Sequence, residues 1–204
     1  MHAPFIAWVI LTAFRSHMER GFWDFLCPGK DGEILHHLEA LTTTKAAHWV
    51  NLSLFIIAMV NGEPAAALSG YFEEEHGGKK LRDGMAEVSE TTGQEVDPEE
   101  MKRALTIRKV VPEHVPGAWI IESVATRPEF RRCGLVDALM REIMERGRRR
   151  GAMVSDIGVF IGNNQAQKAY EKVGFTVVGE RCHPEFEAVY KIPGIRLLRC
   201  ALQQ

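Results

Sequence analysis

Thr126 to Val136, which reads T-R-P-E-F-R-R-C-G-L-V, leaves the chain few ways to fold. It follows an apolar run, Ala118 to Ala125, that predicts a buried strand, and it precedes a stretch from Leu135 onward whose apolar residues recur at helical spacing. Strand, tight turn and helix in that order set a helix N-terminus at the end of a strand. The first N–H groups of such a helix have no carbonyl to bond, and Gly134 lets backbone come close to a ligand. The turn therefore suits an anion such as pyrophosphate.

A second stretch sharpens this. After another predicted strand, Met153 to Ile161, the chain reads Asn163-Asn164-Gln165-Ala166-Gln167-Lys168-Ala169-Tyr170-Glu171-Lys172-Val173-Gly174-Phe175. Together with Arg131-Arg132-Cys133-Gly134-Leu135-Val136 it resembles the GCN5-related N-acetyltransferase (GNAT) superfamily. That family's acetyl-CoA loop reads R/Q-x-x-G-x-G/A, and its next helix carries N-x-x-A-x-x-x-Y-x-x-x-G-F. Asn163, Ala166, Tyr170, Gly174 and Phe175 fall in register, so two motifs occur in the right order and spacing over Trp119 to Gly179. Val136 departs from the pattern, which prefers Gly or Ala; its place on the apolar stripe of the helix directs it into the core. The resemblance implies an α+β (α/β) fold of the GNAT acyl-CoA N-acyltransferase type, a mixed, mostly antiparallel central sheet flanked by helices.

With 204 residues, 46% hydrophobic and 25% charged, the composition is that of a globular protein, and a single domain over 1–204 with its motif-bearing core at about 118–180 is expected. A formal net charge of −2 provides no field for nucleic acid or acidic membranes and favours a small-molecule or peptide partner. Cys27, Cys133, Cys182 and Cys200 form no C-x-x-C pair, so neither a metal site nor a redox motif is expected; they read as free thiols in a reducing cytoplasm. The apolar run Pro4 to Phe14 lacks the basic flank and cleavage site of a signal peptide and is too short to span a bilayer.

In chain order, a helix is expected over Pro4 to Met18, a break at Gly21 and Pro28-Gly29, and a second helix from Asp31 as N-cap to Thr43. GNAT domains normally begin with a strand, whereas a helix is expected first here; either that strand is dispensable or the sequence starts late. His48 to Val60 and Pro64 to Phe72, joined by Asn61-Gly62, predict an antiparallel hairpin. The resemblance implies that these strands face the acceptor, so Trp49, Asn51, Ser53 and Tyr71 either line its site or pack as ordinary strand residues. Glu73 to Gly117 is longer than the usual connection and holds two helical pieces, the second capped by Asp97 ahead of Pro98. This insert, 73–117, reads as a substrate-side lid. The helix from Gly134 to Arg150 pairs Glu142 with Arg146, and the basic run at its end complements the helix dipole. Thr176 to Cys182 predicts a strand, Pro184 to Gly194 an irregular link, and Ile195 to Ala201 a last strand.

Acyl transfer needs a held donor, a polarised carbonyl, a neutral amine and a proton for the departing thiolate. The resemblance implies acetyl-CoA as acyl donor, transferred to a primary amine by direct attack in a ternary complex. N–H groups from Arg132 through Cys133, Gly134 and Leu135 to Val136 would cradle the pyrophosphate, with Arg131 or Arg132 adding charge. Val124, Ala125 and Thr126 would bond the pantetheine arm, Ala125 N–H serving as oxyanion donor; Ala166 lies beside the same arm, and Asn163 either holds it or caps its helix. Glu122, which strand alternation sets on the face of Ile120 and Val124, is the first candidate for general base and His114 the second. Tyr170 is the candidate proton donor to the thiolate and also borders the cofactor. Cys133, a thiol near a helix N-terminus, faces phosphate rather than the acetyl carbon, which argues against a nucleophilic role. Two alternatives stay open: a non-catalytic acyl-CoA-binding regulatory module, and transfer of a longer acyl group into space near Val124 and Phe160. A homodimer through an exposed strand edge is also open.

Overall fold

The computed structural model describes residues 2–27, 29–93 and 96–202; the break expected at Pro28 falls outside them. Its centre is a sheet of six strands, β1 (Phe55–Val60), β2 (Glu63–Phe72), β3 (Trp119–Thr126), β4 (Val154–Phe160), β5 (Thr176–Cys182) and β6 (Gly194–Ala201), in the order β1-β2-β3-β4-β6-β5. Every neighbouring pair is antiparallel except β3 and β4. Helices α1 (Ala3–Arg15), α2 (Phe22–Leu26) and α3 (Asp31–Thr42) precede the sheet, α4 (Glu73–His76), α5 (Gly78–Thr92) and α6 (Pro98–Leu105) lie between β2 and β3, α7 (Leu135–Arg149) and α8 (Asn164–Lys172) follow β3 and β4, and α9 (Pro184–Tyr190) joins β5 to β6. Among the described residues, no helix is long and apolar enough to cross a membrane.

Local chemistry explains where these elements begin and end. Asn61 and Gly62 both take positive φ, 52° and 85°, as a two-residue hairpin turn of the I′ kind requires. The strand expected from His48 starts only at Phe55. Asn51 accepts hydrogen bonds from Ser53 N–H (3.0 Å) and Ser53 Oγ (2.7 Å), and its Nδ2 donates to Thr44 O (3.0 Å). These side-chain bonds favour a 3-10 turn over Leu52–Leu54 instead of a ladder. Asp97 caps α6 as expected, accepting from Glu99 N–H (2.7 Å) and Glu100 N–H (3.1 Å).

Four expectations are corrected. Asp31 is not an N-cap but the first residue of α3; its carboxylate pairs with Arg15 (2.7 Å), which also binds Asp24 (2.6 Å) and so ties α1, α2 and α3 together. Helix α2, too short to show a period, was not foreseen; Asp24 Oδ2 holds its start by accepting from Gly21 N–H (2.8 Å). The link Pro184 to Gly194 contains α9, with Pro184 in its first turn and Phe186 and Tyr190 stacked one turn apart at 4.5 Å. Glu142 pairs with Arg149 (3.1 Å) rather than with Arg146.

Apolar side chains pack on both faces of the sheet. Ile6, Ile10, Trp23, Leu38 and Leu41 form the core beneath α1 to α3, and Leu68, Ile121, Met140, Ile143 and Leu198 the core beneath α7 and α8. Trp119 wedges between β2 and α7 where both strand and helix lack a side chain. A Cβ on Gly147 would lie 2.5 Å from Trp119 Cγ, and one on Gly70 2.6 Å from Trp119 Nε1. Gly147→Val is therefore expected to lower unfolding free energy by about 1–3 kcal/mol in urea denaturation, although Gly is a poor helix former. Arg150 lies over the Phe72 and Trp119 rings and pairs with Glu75 (2.8 Å), while Arg148 pairs with Glu145 (2.7 Å). The basic end of α7 is thus engaged with acids and aromatic faces.

Candidate active site

The site is made by a strand that changes neighbour halfway. The β3–β4 pairing, Trp119 with Ser155, Ile120 with Asp156 and Ile121 with Ile157, ends there, although β3 runs on to Thr126 and β4 to Phe160. Beyond Ile121 the two strands part. On the other edge, Ser69 opposes Glu122 and Ala67 opposes Ala125, so β3 carries one more residue than β2 across this interval. That is a β-bulge, and its strained member is Ser123, with φ 55°.

The bulge corrects the expected alternation. Ile120 packs with Tyr71 on one face, and Glu122 shares that face, but Val124 packs with Ile121 on the opposite face. The extra residue reverses the sequence of faces. Arg127 N–H donates to Ala65 O (2.9 Å), and alternation along the pair then turns the Ala125 N–H toward β2 and the Thr126 N–H toward the opening. The oxyanion donor expected at Ala125 is thus directed into the sheet. Ser123 Oγ and Thr126 Oγ1 are buried and have no hydrogen-bond partner among the described residues. Both residues line the opening, where a ligand could supply the missing partners.

Below the opening lies the turn. Arg132 (φ 63°) and Gly134 (φ 75°) both take left-handed backbone, a sequence of conformations that turns successive N–H groups toward one point. A Cβ on Gly134 would meet nothing within 4 Å, so glycine serves the backbone angle rather than packing there. The first intrahelical bond of α7 runs from Ala138 N–H to Gly134 O (3.1 Å), leaving the preceding N–H groups without helical acceptors. Arg131 and Arg132 are exposed and make no ion pair among the described residues. Val136 packs against the α7-side core while bordering the cleft. Cys133 is exposed, with its Sγ on Arg131 O at 3.6 Å, and does not line the cleft.

Helix α8 closes one wall. Asn163 caps it, Oδ1 accepting from Ala166 N–H (3.1 Å) while Nδ2 donates to Ser16 Oγ (2.7 Å) on the far side of the cleft mouth. Tyr170, one turn beyond Ala166, is 7% exposed, and burial first, then the nearby Glu122 carboxylate, pushes its phenol well above the ordinary value. Gly174 (φ 104°) ends the helix.

Glu122 stands opposite. Burial pushes its carboxyl up from 4.5 to about 7, with Glu73 raising it further and His114 and the Ser123 N–H opposing. Asp156, which no motif marked, is 0% exposed; Arg199 Nε (2.6 Å) and Nη2 (2.8 Å) donate to it and His114 Nδ1 lies 3.0 Å away. Burial works against its charge, but the bonds from Arg199 and His114 outweigh this and hold it below the ordinary carboxylate value. A lone aspartate in the apolar run V-S-D-I-G-V-F was itself a signal, because a buried carboxylate needs partners.

These elements surround one cleft of ≈ 1460 Å³. Glu122, Val124, Ala125, Thr126, Arg131, Arg132, Gly134, Leu135, Val136, Asn163, Ala166 and Tyr170 all border it. Trp49 and Tyr71 do too, whereas Asn51 and Ser53 do not and serve the turn before β1. The insert contributes Glu73, Leu81, Met85, Met101, Leu105 and His114 to the lining. None of these was marked individually in the sequence except His114. Phe14 and Trp49 add aromatic wall, their ring centroids 5.5 Å apart. Among the described residues, no group of three or more His, Cys, Asp or Glu could hold a metal ion.

The chain belongs to the acetyltransferase (GNAT) family, whose description matches residues 23–175. Among solved structures, one described as an acetyltransferase has 18% identity and a TM-score of 0.70, covering 99% of this chain and 95% of its own. An N-acetyltransferase from Staphylococcus aureus Mu50 has 20% identity and a TM-score of 0.66, covering 97% and 94%. At such identities these likenesses show the fold, the mostly antiparallel sheet flanked by helices. No curated protein sequence matches the chain.

Proposed function

We propose that this acetyltransferase moves an acetyl group from acetyl-CoA to a primary amine by direct attack in a ternary complex. The observation that carries the reading is the opening between β3 and β4, with Glu122 on one side, Tyr170 on the other and the turn at 131–136 below. In this reading the turn holds the pyrophosphate through its N–H groups and Arg131 or Arg132. The freed edge of β3 bonds the pantetheine arm, and the Thr126 N–H faces the developing oxyanion. Glu122 takes the amine proton, and Tyr170 gives one to the leaving thiolate. The insert 73–117 acts as the lid over the acceptor, completing one domain over 1–204 that works in the cytoplasm.

Varying acetyl-CoA and amine together is expected to give intersecting initial-rate lines. Parallel lines, the mark of a covalent intermediate, would count against direct attack and bring Cys133 back as a nucleophile.

A further inference from the structure

Proton removal from the acceptor needs a way out of the cleft once Glu122 has taken the proton. Asp156 is the cross-strand partner of Ile120, and Glu122 is two residues along β3 from Ile120, so both carboxylates lie on one face as diagonal neighbours. In a parallel pair that parts beyond Ile121, such neighbours stand about 8 Å or more apart between backbones, a gap that an imidazole and a water can span. His114, from the end of the insert, sits there, with Nδ1 3.0 Å from Asp156 Oδ2 and a side chain 20% exposed, and it lines the cleft. Asp156 is ionised and holds Arg199 with two bonds, so it can only accept from His114. The ring must therefore carry a hydrogen on Nδ1, so that in its neutral form the free lone pair is on Nε2.

We infer that His114, oriented by the buried Asp156, relays the acceptor's proton from Glu122 to solvent. Asp156 is a positioning residue. The inference rests on the acetyl-transfer reading above. In the relay, the acceptor ammonium gives a proton to the Glu122 carboxylate, directly or through water, and becomes the neutral nucleophile. The Glu122 carboxylic acid, which makes no direct bond to the ring, then passes that proton through cleft water to His114 Nε2. The imidazolium so formed is balanced by Asp156 and releases a proton to water at the exposed edge of the ring, restoring the starting state. The charges that face the ring are Asp156 on β4 with Arg199 on β6 behind it, Glu122 on β3 in front with Glu73 of α4 beyond, and the Arg181–Glu113 pair (2.7 Å) flanking it. A merely structural His114 would anchor the end of the insert to the sheet and do nothing for the rate.

The two roles separate experimentally. With the best amine from a panel, His114→Ala is expected to lose at least about tenfold in kcat near pH 7 with little change in KM for acetyl-CoA, and added imidazole should restore much of it. Asp156→Asn, whose amide would donate to Nδ1 and force the hydrogen onto Nε2, should lose a similar amount. Should that variant fail to fold, ¹⁵N NMR of the wild-type ring, assigned by its loss in His114→Ala, reads the tautomer directly, and the Nδ1–H form is expected. An unchanged rate in His114→Ala, a loss that imidazole does not restore, or an Nε2–H ring would each overturn the relay while leaving acetyl transfer intact. A wild-type protein that turns over no amine would instead overturn the reading on which the relay rests.

Discussion

Tyr170→Phe is expected to lower kcat by about 10²-fold while acetyl-CoA affinity changes by no more than about twofold. The ring is nearly enclosed, packing with Ala166 and Ala169 on the face that α8 turns to the core, and Phe preserves that packing. Only the hydroxyl is lost. Folding stability should therefore change little. Burial and the charge of Glu122 keep the phenol protonated throughout the physiological range. A thiolate leaving group develops its charge in the same enclosed space, where one donor counts for more than in water. Stopped-flow or steady-state thiol release with saturating substrates reads kcat, and calorimetric titration reads affinity. An unchanged kcat would remove the acid role and leave Tyr170 as a wall.

Glu122→Gln should pull activity and stability in opposite directions. As proton acceptor the carboxylate must be ionised, so wild-type kcat/KM is expected to rise with pH through about 7, and the Gln variant to lose about 10²-fold and that limb of the profile. For stability, the folded carboxyl holds its proton to about 7 whereas the unfolded chain releases it near 4.5. Between those values the folded protein binds more protons than the unfolded one, so stability falls as pH rises, and above 7 the whole cost is present. Glutamine carries no such cost. Because the side chain is only half-buried and reaches cleft water, the gain in Glu122→Gln is about 1–2 kcal/mol at pH 8, vanishing near pH 4. Urea denaturation at the two pH values measures it. A variant less stable than wild type at pH 8 would show that Glu122 is a structural ion rather than one strained for chemistry.

What could be read in the sequence was local. Gly134 in the tight turn, Asn163 as a cap, Asp97 ahead of Pro98 and Asn61-Gly62 in a hairpin each depend on residues within a turn or two, so their chemistry is written side by side. The bulge at Ser123 was not legible, because W-I-I-E-S-V-A-T holds no glycine or proline to mark an extra residue and only the register against β2 reveals it. The face of Val124 and the direction of the Ala125 N–H followed from that one residue. Asp156 and His114 lie 42 positions apart and meet through the tertiary fold, so no motif could join them. The short helices α2 and α9 complete too few turns for a period to emerge, although Pro184 ahead of Phe186 and Tyr190 did mark the second.

The insert 73–117 is the part of the chain least determined by family pattern. Leu81, Met85, Met101 and Leu105 give the insert an apolar inner surface, with Phe14 and Trp49 facing it across the cleft. For the transfer proposed above, such walls would favour amines borne on an apolar body.

The most direct measurement is release of the CoA thiol from acetyl-CoA in the presence of a broad panel of primary amines, with the acetylated product identified by mass. The account predicts amine-dependent release well above hydrolysis, with one acetyl group found on the amine for each thiol freed. Acetyl-CoA that raises the melting temperature of the protein while no amine on the panel is consumed would contradict it and leave a CoA-binding module in its place.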